Sequence, residues 1–134
     1  MVEEAKFRCV LRKVEPSLIP NVYILHFDCE NGIGIVMDIH REVKTVDEGD
    51  RVEITISKKI PPYEEGKDFL ARGYVFAKKV SKESVREGDR QEEYEVYKLL
   101  ISLWGFLVVL KSRDPSIHNL FDYMDEIYMH IKKL

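Results

Sequence analysis

The stretch Asn31-Gly32-Ile33-Gly34-Ile35-Val36-Met37-Asp38-Ile39-His40 decides the fold class. Asn-Gly is the strongest short-range signal for a tight turn between antiparallel strands. Beyond it, Ile33, Ile35, Met37 and Ile39 alternate with Gly34, Val36, Asp38 and His40. That is the two-residue period of a strand with one face in a core. Upstream, Tyr23 to Phe27 is apolar on both faces, as suits a central strand, and the turn joins the two as a hairpin.

The same period extends outward in both directions. Ala5, Phe7, Cys9 and Leu11 form one apolar face near the start, and Val52, Ile54 and Ile56 alternate with Arg51, Glu53 and Thr55. Half-solvated antiparallel strands read this way. Leu70 to Lys79, Glu95 to Ile101 and Phe106 to Leu110 add three more strands. Asp47-Glu48-Gly49-Asp50 marks a turn, Trp104-Gly105 a bend, and Pro61-Pro62 makes residues 58–68 a loop, since proline cannot lie within a paired central strand. Ser81 to Glu93 is charged, has almost nothing to bury, and reads as a polar loop. Near the end, helical and strand spacings compete; we assign a helical turn to residues 116–122 and a strand to 125–132. About eight strands without alternating helices argue for an antiparallel barrel or sandwich, and closure would hide the edge strands. No repeat or linker divides residues 1–134, so a single domain is expected.

Composition narrows the function. The 134 residues are 45% hydrophobic, enough for a core. Lys+Arg number 21 against Asp+Glu 24, and a net charge of −3 gives no general attraction for nucleic acid or an anionic membrane. Any nucleic-acid contact needs a local patch. Cys9 and Cys29 lack metal-ligand spacing and sit in apolar segments; with no sign of export, we read them as buried free thiols rather than a bridge. The acidic Met1–Glu4 start and the shortness of the apolar run Leu99 to Leu110 lead us to expect no signal peptide and no membrane span, hence a soluble cytoplasmic protein. Abundant Glu, Lys and Arg with few Asn and Gln leans toward a thermophile.

Chemistry-bearing motifs are sparse. Neither phosphate loop is present, and none of Ser57, Ser102 and Ser112 sits in a nucleophile elbow. His26, His40 and Asp38 make the one plausible metal cluster, but zinc needs three or four convergent ligands; ordinary strand histidines are expected. We therefore expect no catalytic residue, metal, cofactor or small-molecule substrate. Two binding readings remain. Tyr74 and Phe76 near Lys78 and Lys79 place aromatics beside basic residues, the ingredients of a single-strand nucleic-acid binder. Trp104 either plugs one end of the barrel or anchors a partner protein, because Trp, Tyr and Arg dominate interface hot spots.

The order of segments resembles a known family. Val36-Met37-Asp38-Ile39 followed by Arg51-Val52-Glu53-Ile54-Thr55-Ile56-Ser57-Lys58-Lys59 is similar to the paired strands of RNA polymerase subunit 8. Pro62-Tyr63 and Gly73-Tyr74-Val75 resemble segments of its archaeal branch, the G subunit. Ile101-Ser102-Leu103-Trp104-Gly105-Phe106-Leu107-Val108 resembles the family's serine–x–aromatic–glycine–x–leucine hairpin, with Trp104 where tyrosine or phenylalanine is commoner. Glu126 to Lys133 resembles the closing strand, and the likeness spans roughly residues 5–133. It implies a closed antiparallel β-barrel of the oligonucleotide/oligosaccharide-binding type, about eight strands with a short helical turn near the C-terminus. It also implies a non-catalytic subunit docked on the largest subunit of the polymerase, with any nucleic-acid contact indirect, within the complex. The residues expected to dock are Pro62, Tyr63, Gly73, Tyr74, Trp104, Gly105, Phe106 and Leu107. A free-standing single-strand binder using Tyr74, Phe76, Lys78 and Lys79 is the alternative.

Overall fold

The computed structural model describes residues 4–134. Its strands are β1 (Glu4–Pro16), β2 (Val22–Cys29), β3 (Gly34–His40), β4 (Arg51–Ser57), β5 (Phe69–Glu87), β6 (Arg90–Leu103), β7 (Phe106–Ser112) and β8 (Glu126–Lys133), with helix α1 (Pro115–Leu120) before the last. They close into a barrel in the order β1-β2-β3-β7-β6-β5-β8-β4, every pairing antiparallel. The expected closed antiparallel barrel is therefore what forms, and it is consistent with the oligonucleotide-binding type.

The seam is β1, which pairs with β2 on one side and β4 on the other: Cys9 faces Cys29 and Val52 at one level. Alternation then fills the interior. Phe7, Leu11, Ile35, Met37, Ile54 and Ile56 are all buried, as their spacing requires. Burying each such side chain stabilises by about 2 kcal/mol relative to leaving it exposed. Near the C-terminus, Asp114 accepts a hydrogen bond from the Ser116 N–H (2.8 Å) and Pro115 starts α1. Both are favoured at a helix start. Phe121 follows in the core with no exposed surface, and β8 then pairs with both β4 and β5.

Two expectations are corrected. Residues 81–93 are not a loop: β5 and β6 stay paired out to Glu87 opposite Arg90, around Gly88-Asp89. Gly88 has φ +57°, the left-handed conformation such a two-residue turn demands. This ribbon buries neither face, so no apolar alternation marks it; cross-strand pairs such as Lys82 with Glu95 line it instead. Cys9 and Cys29 are not free thiols but a disulfide, because the β1–β2 register sets them directly opposite one another.

Gly73 fixes how β5 meets β6. A Cβ there would stand 2.1 Å from the Ser102 carbonyl oxygen and 2.8 Å from Leu103 Cδ2. Gly73→Ala is expected to cost about 2–3 kcal/mol through overpacking, read as a lower urea midpoint; an unchanged midpoint would show that the strands separate freely. Thiol titration of the denatured chain should find no reactive cysteine before reduction and both afterwards. Reduction should remove about 3 kcal/mol by loosening constraint on the unfolded chain.

Candidate functional site

The barrel wall is incomplete around the β6–β7 turn. β3 pairs with β7 only from Gly34 to Met37, and β5 takes up pairing with β6 only from Tyr74. Asp38–His40 and Phe69–Gly73 are thereby left as short strand edges on either side of the β6–β7 turn. A groove of about 530 Å³ lies there, its lining including Ile39, His40, Leu70, Trp104 and Phe106.

Trp104 stands at the tip of that turn, 78% exposed, so it does not plug the barrel. Trp104 and Gly105 both have positive φ, +56° and +91°. Such a turn suits the twist of a hairpin, but a bulky side chain in it is uncommon. The Gly105 N–H donates to Ser102 Oγ (3.2 Å), which helps hold the bend.

Charged groups around the groove are mostly engaged. Arg72 pairs with Glu126 (3.8 Å), and His40 Nδ1 accepts from the Glu42 N–H (3.1 Å). Asp68 and His130 form a nearly solvent-free pair, 7% and 6% exposed. Asp68 Oδ2 accepts from His130 Nε2 (2.7 Å) and from the Glu64 N–H (3.0 Å), tying the 58–68 loop to β8. Burial pushes the Asp68 carboxyl up, but those two hydrogen bonds and the charges of His130 and Lys132 outweigh it. The carboxyl therefore titrates below its ordinary 3.8.

The eight residues expected to dock a partner separate into four places. Trp104, Gly105 and Phe106 form the tip and the groove wall. Tyr74 and Leu107 lie on the outer face, both opposite Ser102. Pro62 and Tyr63 are exposed on the 58–68 loop, apart from the groove lining. Gly73 is buried, and its place is in strand packing rather than at a partner; the β5 irregularity lies later, between Val75 and Ala77.

The nucleic-acid set separates too. Tyr74, Phe76 and Lys79 share the outer face, whereas Lys78 is registered with fully buried Leu99 and its charge acts on His118 and Asp125. The irregularity after Val75 shifts the alternation by one, exchanging Lys79 for Lys78. His26 and His40 go to separate partners, His26 to Glu15 (2.7 Å) and His40 to its own turn. The outward lysines of β6 and β7, Lys98 and Lys111, were not anticipated, although counting equal steps back from Trp104-Gly105 pairs them.

Comparison with known proteins now adds the family. Residues 4–134 match the family of the G subunit of DNA-directed RNA polymerase. DNA-directed RNA polymerase subunit Rpo8 of Sulfolobus acidocaldarius is 32% identical over 126 residues, 93% of this chain and 94% of that protein. The Rpo8 subunit of Saccharolobus solfataricus is 26% identical over 135 residues, 99% and 96% of the two chains. A molybdate-bound structure of the cytoplasmic molybdate-binding protein ModG covers 96% of this chain and 89% of that one at 10% identity and TM-score 0.32, too distant to carry fold or ligand across.

Asp68→Ala should cost about 2 kcal/mol, since it leaves His130 buried without its partner. A lowered carboxylate pKa contributes fully above the unfolded value and is lost as pH falls through the folded one. Wild type should thus lose stability increasingly as pH drops below 3.8, and that acid slope should be shallower in Asp68→Asn. Parallel slopes in pH-dependent urea melts would remove Asp68 from this role.

Proposed function

From the premise that this chain belongs to the G-type subunits of DNA-directed RNA polymerase, we propose that it is a non-catalytic subunit of an archaeal polymerase that docks on the largest subunit and supports assembly or stability during transcription. Its place is then the cytoplasm, with the polymerase. The observation that carries the docking surface is Trp104, a large apolar side chain 78% exposed at a turn whose backbone it does not favour. Beside it lies an apolar groove, flanked by two strand edges that the barrel leaves without a neighbour.

Hot spots of protein interfaces are large aromatic anchors near a pocket, and short free edges offer backbone groups to an incoming segment. Trp104 and Phe106 would anchor the partner while β3 and β5 present those edges. The non-catalytic part of the proposal rests on the same geometry. Asp68, His40 and Arg72 are held by His130, Glu42 and Glu126, which suits a structural surface better than a reacting one.

Co-purification of a tagged chain with the polymerase subunits from its native cells tests this. Trp104→Ala should weaken association by about 2 kcal/mol, roughly thirtyfold, while the urea midpoint of the free protein stays within about 0.5 kcal/mol. Tyr63→Ala tests whether the neighbouring loop joins the interface. Full retention of the polymerase by Trp104→Ala and Phe106→Ala together would place the docking surface elsewhere; absence of polymerase from the wild-type preparation would remove the subunit proposal itself.

A further inference from the structure

The outer face of the β3–β7–β6–β5 wall carries a second surface, on the flank of the hairpin whose tip is Trp104. Its middle is a row of aliphatic side chains: Val36 lies opposite Val109, Val109 opposite Leu100 and Leu100 opposite Ala77. Leu107 and Tyr74 extend it on one side, both opposite Ser102, and Phe76 is turned outward at the β5 irregularity. Val36, Leu107, Tyr74 and Phe76 are each at least 37% exposed, so the barrel does not cover them. A contiguous apolar patch with a polar rim marks a contact surface on a small protein.

The rim on the other side is cationic. Strand register sets Lys79 opposite Lys98 and Lys98 opposite Lys111, so three lysines lie side by side on adjacent strands. Like charges directly opposite one another destabilise a sheet. Among the described residues, none of the three has a carboxylate within ion-pair distance. Carboxylates in the adjoining register, Asp28 opposite Gly34 and Glu126 opposite Tyr74, are taken by Arg12 (3.4 Å) and Arg72 (3.8 Å). This arises in a chain whose net charge is −3, so the row is a local feature and not a reflection of general basicity.

The dimensions of the face match a helix laid across the strands. With strands about 4.8 Å apart, the three lysines span roughly 10 Å. Carboxylates at i, i+3 and i+7 of a helix, at about 1.5 Å per residue, span roughly the same length. From Lys111 to Leu107 along β7 is about 13 Å, close to the width of one helix with its side chains. The aliphatic row between these rims fits the apolar side of such a helix, whereas a bare polyanion would engage the lysines and leave the row uncovered.

We propose that this face docks an acidic amphipathic helix of a partner protein, with carboxylates on Lys79, Lys98 and Lys111 and apolar side chains on Leu100, Val109 and Val36. It is a second protein contact, on the flank of the hairpin, and does not depend on docking at the Trp104 tip.

The test is fluorescence anisotropy of the full chain with a labelled helical peptide of about 18 residues, carrying Glu at i, i+3 and i+7 beside a leucine stripe. Binding should weaken as salt rises and screens the rim. K79Q/K98Q/K111Q should weaken it roughly tenfold, as the loss of three exposed ion pairs would, and Gln in place of the three peptide Glu should do the same. L100Q/V109Q should weaken it about tenfold or more while leaving the salt dependence unchanged. The decisive arm is a charge swap: K79E/K98E/K111E should regain affinity for a peptide with Lys in place of the three Glu. Circular dichroism of each variant checks that the barrel persists, and the milder K98Q alone serves if a triple variant does not fold. No binding at about 50 mM salt, or a swap that restores nothing, overturns the proposal. Affinity for oligothymidylate of about 12 nucleotides that equals or exceeds affinity for the peptide also overturns it, because the row would then read charge without the aliphatic face. Since the peptide assay needs no polymerase, its failure and the failure of the subunit proposal are separate results.

Discussion

Closure of the sheet through β1 is the constraint on which the rest of the molecule depends. Because β1 is hydrogen-bonded to both β2 and β4, the eight strands share one interior, and every strand must send alternate side chains into it. An open sheet of the same strands would expose two long edges; the closed one removes them except where strands diverge. The divergence at Asp38–His40 and Phe69–Gly73 is one such stretch of the wall, and Trp104 stands in it. The Asp68–His130 pair fastens the loop before β5 to β8 beside this opening. Position and rigidity of the site both descend from the barrel.

How much was legible in the sequence follows from which physical forces leave a periodic trace. Burial on one face does: Ile33 to Ile39 and Val52 to Ile56 were readable as strands because the core selects every second residue. The β5–β6 arm beyond Ser81 leaves no such trace, since backbone hydrogen bonds hold it with neither face buried. Sequence alone marked it as loop for that reason. The Cys9–Cys29 bridge was missed for a related one. Two cysteines on inward positions look like core thiols until register is known, and the bulge after Leu11 shows that register along β1 is not uniform.

The candidate surfaces were legible to a different degree. A tryptophan at a bend between two apolar strands could plug the barrel or stand outside it, and the structure leaves Trp104 exposed, with Phe106 lining the groove beside it. Gly73 was grouped with them by its neighbours in sequence; its close contact with Ser102 is a fact of packing and leaves no mark in composition. Lys78 was named beside Lys79, and Lys98 and Lys111 were not, because proximity along the chain is visible and proximity across strands is not. One irregular step after Val75 was enough to invert which lysine faces outward.

The two surfaces place opposite demands on one hairpin. Its tip carries a bulky ring at φ +56°, where glycine or asparagine would relieve the backbone, and its flank carries two lysines in direct opposition. Neither arrangement helps the barrel fold. Strain and repulsion that the core does not require persist where the surroundings over-determine them, and such places cluster at ligand and partner contacts. The buried halves of the same strands, Leu99, Ile101, Val108 and Leu110, supply that over-determination, since each is fully or nearly fully enclosed. A stable inner face is thus what allows β6 and β7 to hold an outer face and a tip in conformations that folding alone does not favour.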